Sequence, residues 1–260
     1  MEARITAHKN YTQTPDLSMF QRHTHIHYEI FCFMSGNAKY FVEGNIYELD
    51  PFDILVINKS EAHSLIINEP TPYERYVVHF NAAALVEPFA DTLIPKIESK
   101  PLGRYNRIAA DPAQKKIWLD YLERIVNATG EEKRLYLTVL LKELCENINI
   151  NEEDFYCASE DERLIKYINR HLLTLSGLED ICRHFYISKT HLNRRFKAIT
   201  GSTVWDYVTI KRLIAAKDFL SNGMAPNQVA EKCGWQEYSS FYRSYKAHFG
   251  TTPKADYVKK

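Results

Sequence analysis

The sequence predicts a multidomain chain of α and β class. A β-barrel of jelly-roll type with a helical pair should precede an all-α domain, in which a long helix joins two helix-turn-helix motifs. Three observations carry this. Six short apolar runs separated by turn residues fill the first hundred residues, and a helix-turn-helix pattern occurs twice in the last hundred. The formal charge, zero over 260 residues, divides into 16 Lys and Arg against 23 Asp and Glu in residues 1–159, and 17 against 10 in residues 160–260. A basic second part has a polyanion as its natural partner.

After a polar arm reaching about Met19, residues 27–34, 38–42, 45–49, 53–57, 63–67 and 73–80 are rich in Val, Ile, Tyr and Phe. Turn residues such as Ser35-Gly36-Asn37 and Asp50-Pro51 separate them, which predicts antiparallel strands of a barrel over residues 1–100. Alternation with period two puts His23, His25, His27, Glu29, Phe31 and Phe33 on one face and Tyr28, Ile30, Cys32 and Met34 on the other. Arg75 and His79 share a face of the last run, so both are expected to point into the barrel. A buried arginine there suits a hydroxyl-rich or carboxylate-bearing ligand, and a solvated edge arginine is the alternative.

Residues 101–148 read as a helical pair. Asp111-Pro112 starts the first helix, with Trp118, Tyr121, Leu122, Ile125 and Val126 at helical spacing. Thr129-Gly130-Glu131-Glu132 is expected to form a capping box for the second, whose Leu137, Leu140, Leu141, Leu144 and Ile148 make one stripe. Such stripes must cover the barrel or a second subunit. The polar, acidic stretch 149–159 is the expected linker.

The basic domain, 160–260, opens with Ser159 and Glu162 as a capping box before Leu164, Ile165, Ile168 and Leu172. A second box, Ser176 with Glu179, starts a short helix that buries Leu178, Ile181 and Cys182. Phe185, Tyr186 and Ile187 are expected to form an apolar turn, and Ser188 to cap a further helix with Leu192 and Phe196 inward. The opposite face of that helix carries Lys189, Thr190, His191, Asn193, Arg194 and Lys197, with no acidic residue among them. Phe196-Lys197-Ala198 and Gly201 recur 49 residues on as Tyr245-Lys246-Ala247 and Gly250. Asp206-Tyr207-Val208 likewise recurs as Asp256-Tyr257-Val258, so two similar modules stand in tandem, with motifs at about 176–198 and 225–247. Between them Ser202 or Thr203 caps a long helix that turns Val204, Tyr207, Val208, Leu213, Ile214 and Phe219 inward and ends at Asn222-Gly223.

Over its last hundred residues, which end in Phe249-Gly250-Thr251-Thr252-Pro253, the chain resembles the AraC/XylS family of bacterial transcription regulators. The resemblance places base-reading positions on Thr190, Asn193 and Arg194, with Lys189 and His191 nearer the phosphates, and for the second motif on Tyr238, Ser239, Tyr242 and Arg243. Ala225 stands where the family often has Ser or Thr as a cap, and Glu237 makes the second surface less cationic. The stretch HTHIHYEIFCFMSG, with Gly44, Pro51 and His63, resembles the cupin domain at the N-terminus of many such regulators. The spacing from His23 to Gly36 matches half of the metal-binding cupin pattern, but no glycine precedes His23 at the expected distance and Asp53 replaces another.

Regulators of this family commonly keep the histidines while binding an organic effector without metal. His23, His25, Glu29 and His63, with Arg75, are therefore assigned to an effector pocket, and no metal or cofactor is expected. A metal site, or histidines serving only the fold, are the alternatives. The resemblance implies double-stranded DNA and a small sugar or related metabolite as partners, a homodimer through the helical pair, RNA polymerase as a further partner, and activation over repression. Two competing readings are a metal-dependent cupin enzyme tethered to DNA and a regulator without effector. Cysteines 32, 145, 157, 182 and 233 form no CxxC pair and read as reduced thiols. No run approaches the roughly 18 to 20 apolar residues of a membrane span, so a cytoplasmic protein is expected.

Overall fold

Apolar alternation on both faces of the first unit's central strands sets a three-layer arrangement. A computed structural model describes residues 2–16, 20, 23–59, 61–148 and 160–258, with the side chains of 162 and 199 left aside. Two units emerge, Met1–Cys157 and Ala158–Lys260. The expected linker at 149–159, Cys157 in it and the Ser159 to Glu162 capping box lie outside the described residues.

The first unit is built from strands β1 (Ile5–Thr12), β2 (Tyr28–Ser35), β3 (Ala38–Val42), β4 (Asn45–Glu48), β5 (Ile54–Ile57), β6 (His63–Ile67), β7 (Tyr73–Phe80) and β8 (Arg107–Ile108). Helices α1 (Ala90–Glu98), α2 (Pro112–Asn127) and α3 (Gly130–Glu146) complete it. One antiparallel sheet runs β1-β7-β2-β5-β8 and the other β4-β3-β6. Tyr28, Ile30 and Cys32 face Trp118, Leu122, Leu140 and Leu144 of the helices. Phe31 and Phe33 on the other side face Tyr40, Leu65 and Ile67 of the second sheet. The helical pair thus covers the chain's own barrel, while Ile117 and Leu135 stay about half exposed, at 51% and 52%.

The polar arm is corrected: β1 pairs along its whole length with β7, from Ile5 opposite Phe80 to Thr12 opposite Tyr73. Its sequence, ITAHKNYT, is that of an edge strand, half-buried and mixed in polarity, so it lacks the dense apolar run that marks a central strand. Helix α1 was not foreseen either, because Pro95 lies inside it.

The Asp111 cap forms as expected: its Oδ1 accepts from the Ala113 and Gln114 amides at 2.8 and 2.9 Å, and Gln114 reaches back to the Asp111 amide. The box expected at Thr129 does not form; Glu131 is drawn to Arg134 at 2.7 Å, and Glu132 accepts from Tyr136 Oη.

The second unit comprises α4 (Glu160–Arg170), α5 (Leu178–Phe185), α6 (Lys189–Thr200), α7 (Val204–Ser221), α8 (Pro226–Lys232) and α9 (Tyr238–Phe249). Both α6 and α9 are 12 residues long, and each ends on a glycine in the left-handed region, Gly201 at φ 78° and Gly250 at φ 69°. Helix α7 packs against α6, α8 and α9, so one element carries both modules. Thr203, not Ser202, caps it, its Oγ1 accepting from the Asp206 amide.

Two expectations for α5 fail. Ser176 bonds Asp180 through both its amide and its hydroxyl, at 3.0 and 2.8 Å, whereas Glu179 pairs with Lys189. Tyr186 is not part of an apolar turn: it is 95% exposed and ends α5 with φ 55°.

A non-glycine residue in the left-handed region costs about 1 kcal/mol. Tyr186→Gly, which sacrifices almost no burial, should therefore raise the stability of the second unit by about 1 kcal/mol in thermal or urea unfolding. An unchanged or lowered midpoint would mean that the exposed ring makes up for its backbone.

Candidate functional site

Register between β2 and β7 sets Glu29 opposite His79, Phe31 opposite Val77 and Phe33 opposite Arg75. All six belong to the barrel-facing side, so the pairing aligns one row of chemistry along the inner wall. A cavity of about 500 Å³ lies against this wall, and His23, Glu29, Tyr40, Tyr73, Arg75 and His79 are among its lining.

Glu29 is only 3% exposed and is the hub. His25 Nε2 and His79 Nε2 each lie 2.9 Å from its Oε2, His63 Nε2 lies 3.4 Å away, and Tyr40 Oη donates to Oε1 at 2.9 Å. The second ring nitrogens of His25 and His63 face the backbone carbonyls of His27 and Glu61 at 2.9 and 2.7 Å. His23 sits beside this group through a reciprocal backbone bridge to His63, with ring centroids 4.5 Å apart.

Of the residues assigned from sequence, His23, His25, Glu29 and His63 thus converge, while Arg75 lines the same cavity farther along β7. Tyr40 and Tyr73 were missed, since an isolated tyrosine in a strand carries no signal of its own. His79, which shares Arg75's face of the strand, also joins the group by bonding Glu29. His23, His25 and His63 form one group, and His25, Glu29 and His79 another, whose donor atoms lie within 4.8 Å of one another, near enough to share a cation.

Burial alone would push the Glu29 carboxyl up, but the contacts of His25, His63 and His79 outweigh it and hold the group well below the usual carboxylate range. Burial would likewise lower His63, yet bonding and charge attraction from Glu29 leave it above an ordinary histidine. Burial, then the Glu29 charge, drives the Tyr40 phenol well up.

A carboxylate depressed by folding adds stability above its ordinary 4.5, and that stability is lost as pH falls through the folded value. A histidine raised by folding adds stability below its ordinary 6.5, and that is lost as pH climbs through the folded value. The cluster should therefore contribute most between pH 4.5 and 6.5. Thermal unfolding across pH should show the midpoint gap between the parent and Glu29→Gln widest in that window; a gap independent of pH would contradict the charge pairing.

In the second unit, Lys189, Thr190, His191, Arg194 and Lys197 are all exposed on α6, and Ser188 caps the helix by accepting from the His191 amide at 3.2 Å. Among the described residues, Arg194 and Lys197 have no ion-pair partner, whereas Lys189 is held by Glu179. Asn193 is half-buried, and its Oδ1 accepts from the Val204 amide at 3.4 Å. Arg195, by contrast, turns to α4, pairing with Asp161 and Glu160 at 2.6 and 3.0 Å. On α9, Tyr238, Ser239 and Arg243 are exposed and Tyr242 half-buried. No side chain caps the starts of α8 and α9, in keeping with Ala225 and Glu237 there.

Comparison with known proteins identifies both domains. The profile of the AraC-like ligand binding domain matches residues 11–162, and a helix-turn-helix domain profile matches residues 181–256. The HTH-type transcriptional activator RhaR of Mannheimia succiniciproducens is 22% identical over 266 residues, spanning 100% of this chain and 94% of its own. The probable transcription factor PqrA of Proteus vulgaris is 33% identical over 93 residues, 35% of this chain and 76% of its own. Among solved structures, ToxT from Vibrio cholerae aligns over 96% of this chain and 97% of its own at 14% identity, with a TM-score of 0.39. With its ligand-binding domain matched over more than half of the sequence and a helix-turn-helix domain behind it, the chain belongs to the AraC family of transcription regulators.

Proposed function

We propose that this regulator activates transcription in response to a small polar metabolite, of the sugar or sugar-related class, held in the N-terminal barrel. The observation that carries the reading is the pair of equivalent helices, α6 and α9, set on one long helix and each presenting exposed hydroxyl and cationic side chains. An α-helix of 18 residues is about 27 Å long. That length suits two recognition helices meant for successive major grooves, roughly 34 Å apart on one face of B-DNA.

Arg194 offers guanine a bidentate fork, Asn193 and Thr190 add amide and hydroxyl contacts, and Lys189, His191 and Lys197 serve the phosphates. Lys189 must exchange Glu179 for a phosphate, which reduces its net gain. Tyr238, Ser239, Tyr242 and Arg243 form the second, less cationic reading surface. The relative named as a transcriptional activator supports activation, with RNA polymerase as the further partner. The exposed Ile117 on α2 and Leu135 on α3 support a homodimer through the helical pair. Among the described residues no helix is long and apolar enough to cross a membrane, and work on DNA favours the cytoplasm.

The effector acts by binding one arrangement of the protein more tightly than another, since equal affinity for both would shift nothing. No catalytic step enters this reading; the histidines hold Glu29 and shape the pocket.

Arg194→Ala should cost about 1 to 3 kcal/mol on the preferred duplex and relax the preference at one base pair. Lys197→Ala should weaken all duplexes alike and reduce the slope of log K against log salt by about 1. Fluorescence anisotropy on specific and random duplexes measures both. Parental behaviour in both variants would place the groove-facing surface elsewhere.

A further inference from the structure

The cavity wall carries one cation whose counter-charge is not supplied by the described residues. Arg75 lies beside two aromatic rings, its guanidinium carbon 5.0 Å from the centroid of Tyr73 and 5.1 Å from that of Phe20, the rings themselves being 5.7 Å apart and nearly perpendicular. Arg75 Nη1 and the neighbouring Tyr73 Oη are both buried without a well-formed hydrogen bond to a described residue, the guanidinium only drawing on the phenol from nearby. Tyr73 itself is 0% exposed. The acid nearest in sequence, Glu74, lies on the other face of β7 and pairs with Lys9 at 3.2 Å.

Inside the cavity, Glu29 cannot balance Arg75, because three histidines and Tyr40 already occupy its oxygens. A half-buried charge whose Nη1 is buried and unbonded, beside a buried hydroxyl, is unfavourable unless something arrives to meet it. We infer that the effector is an organic carboxylate, its acid group seated on Arg75 and Tyr73 and its hydroxyls directed toward His79 and His23. This inference rests on the reading that the barrel binds a small-molecule effector.

Geometry favours that class over its neighbours. The paired in-plane donors of a guanidinium match the planar fork of a carboxylate. A neutral hydroxyl could accept one bond there but would leave the charge unmet. A phosphate group calls for more donors than Arg75 and Tyr73 provide. Four strand steps separate Arg75 from His79, about 13 Å, with Val77 and Phe31 between them. The ligand therefore has an acid end, a middle that tolerates apolar walls, and a hydroxylated end, as in a sugar acid.

The test uses full-length protein, D-gluconate and D-galacturonate against D-glucitol and D-galactose, and glucose 6-phosphate, all at matched ionic strength. Thermal midpoint and calorimetric affinity are read for the parent and for Arg75→Met. At least one acid should raise the parental midpoint well beyond its neutral counterpart, and its affinity should fall about tenfold or more in Arg75→Met. Without any ligand, Arg75→Met should melt no lower than the parent, because it removes an unmet charge. Neutral sugars that stabilise as much as the acids, undiminished in Arg75→Met, would overturn the carboxylate while leaving the effector reading intact. A shift confined to the sugar phosphate would overturn it in favour of phosphate. No shift with any probe, together with a destabilised Arg75→Met, would overturn both.

Discussion

Halfway along α7, the Arg212 guanidinium is buried and donates from Nε to the Leu172 carbonyl at 2.8 Å, from Nη2 to that of Leu175 at 2.6 Å, and from Nη1 toward that of Gly234 at 3.4 Å. Leu172 and Leu175 belong to the segment that leads into the first helix-turn-helix, and Gly234 is the turn of the second. One side chain therefore ties both modules to the helix between them. Charge-assisted bonds of this kind contribute about 1.5 to 3 kcal/mol each, and their loss would strand buried carbonyls. Gly234 is constrained twice over: its φ of 83° disfavours other residues, and a Cβ there would stand 2.8 Å from the guanidinium carbon. The tandem repeat is thus more than two copies on a string, because a specific contact sets how the second copy is held against the first.

A comparable hub organises the first unit. Apolar packing of Tyr28, Ile30 and Cys32 against the helices fixes the outer face of β2, so the alternate residue Glu29 is carried inward at a set depth. Its oxygens are then met by histidines from three separate places in the chain and by the Tyr40 hydroxyl. Core packing on one face of a strand and a carboxylate–histidine cluster on the other follow from the same alternation.

Where alternation was strong, the sequence was legible. The two faces of β2, the extents of β3, β6 and β7 and the matched helices α6 and α9 could be read from side-chain period and from the 49-residue repeat. The edge strand β1 could not, because ITAHKNYT has neither an apolar run nor a turn to mark it. Caps proved ambiguous for a local reason: Glu132 and Glu179 found Tyr136 and Lys189 more accessible than their own helix starts. Residues whose role is decided by distant partners were also hidden. Tyr40 meets Glu29 across the barrel, and Arg212 looks like any basic residue of a helix until Leu172 and Gly234 are brought to it.

On the proposed function, two reading heads held in fixed relation by α7 and Arg212 grip successive grooves on one side of a duplex. The most direct measurement is the affinity of the protein for its preferred duplex before and after insertion of about half a helical turn, roughly 5 base pairs, between the two half-sites. This insertion is expected to abolish tight binding, and a full-turn insertion is expected not to restore it, because a rigid pair of heads cannot stretch. Equal affinity for all three duplexes would contradict it.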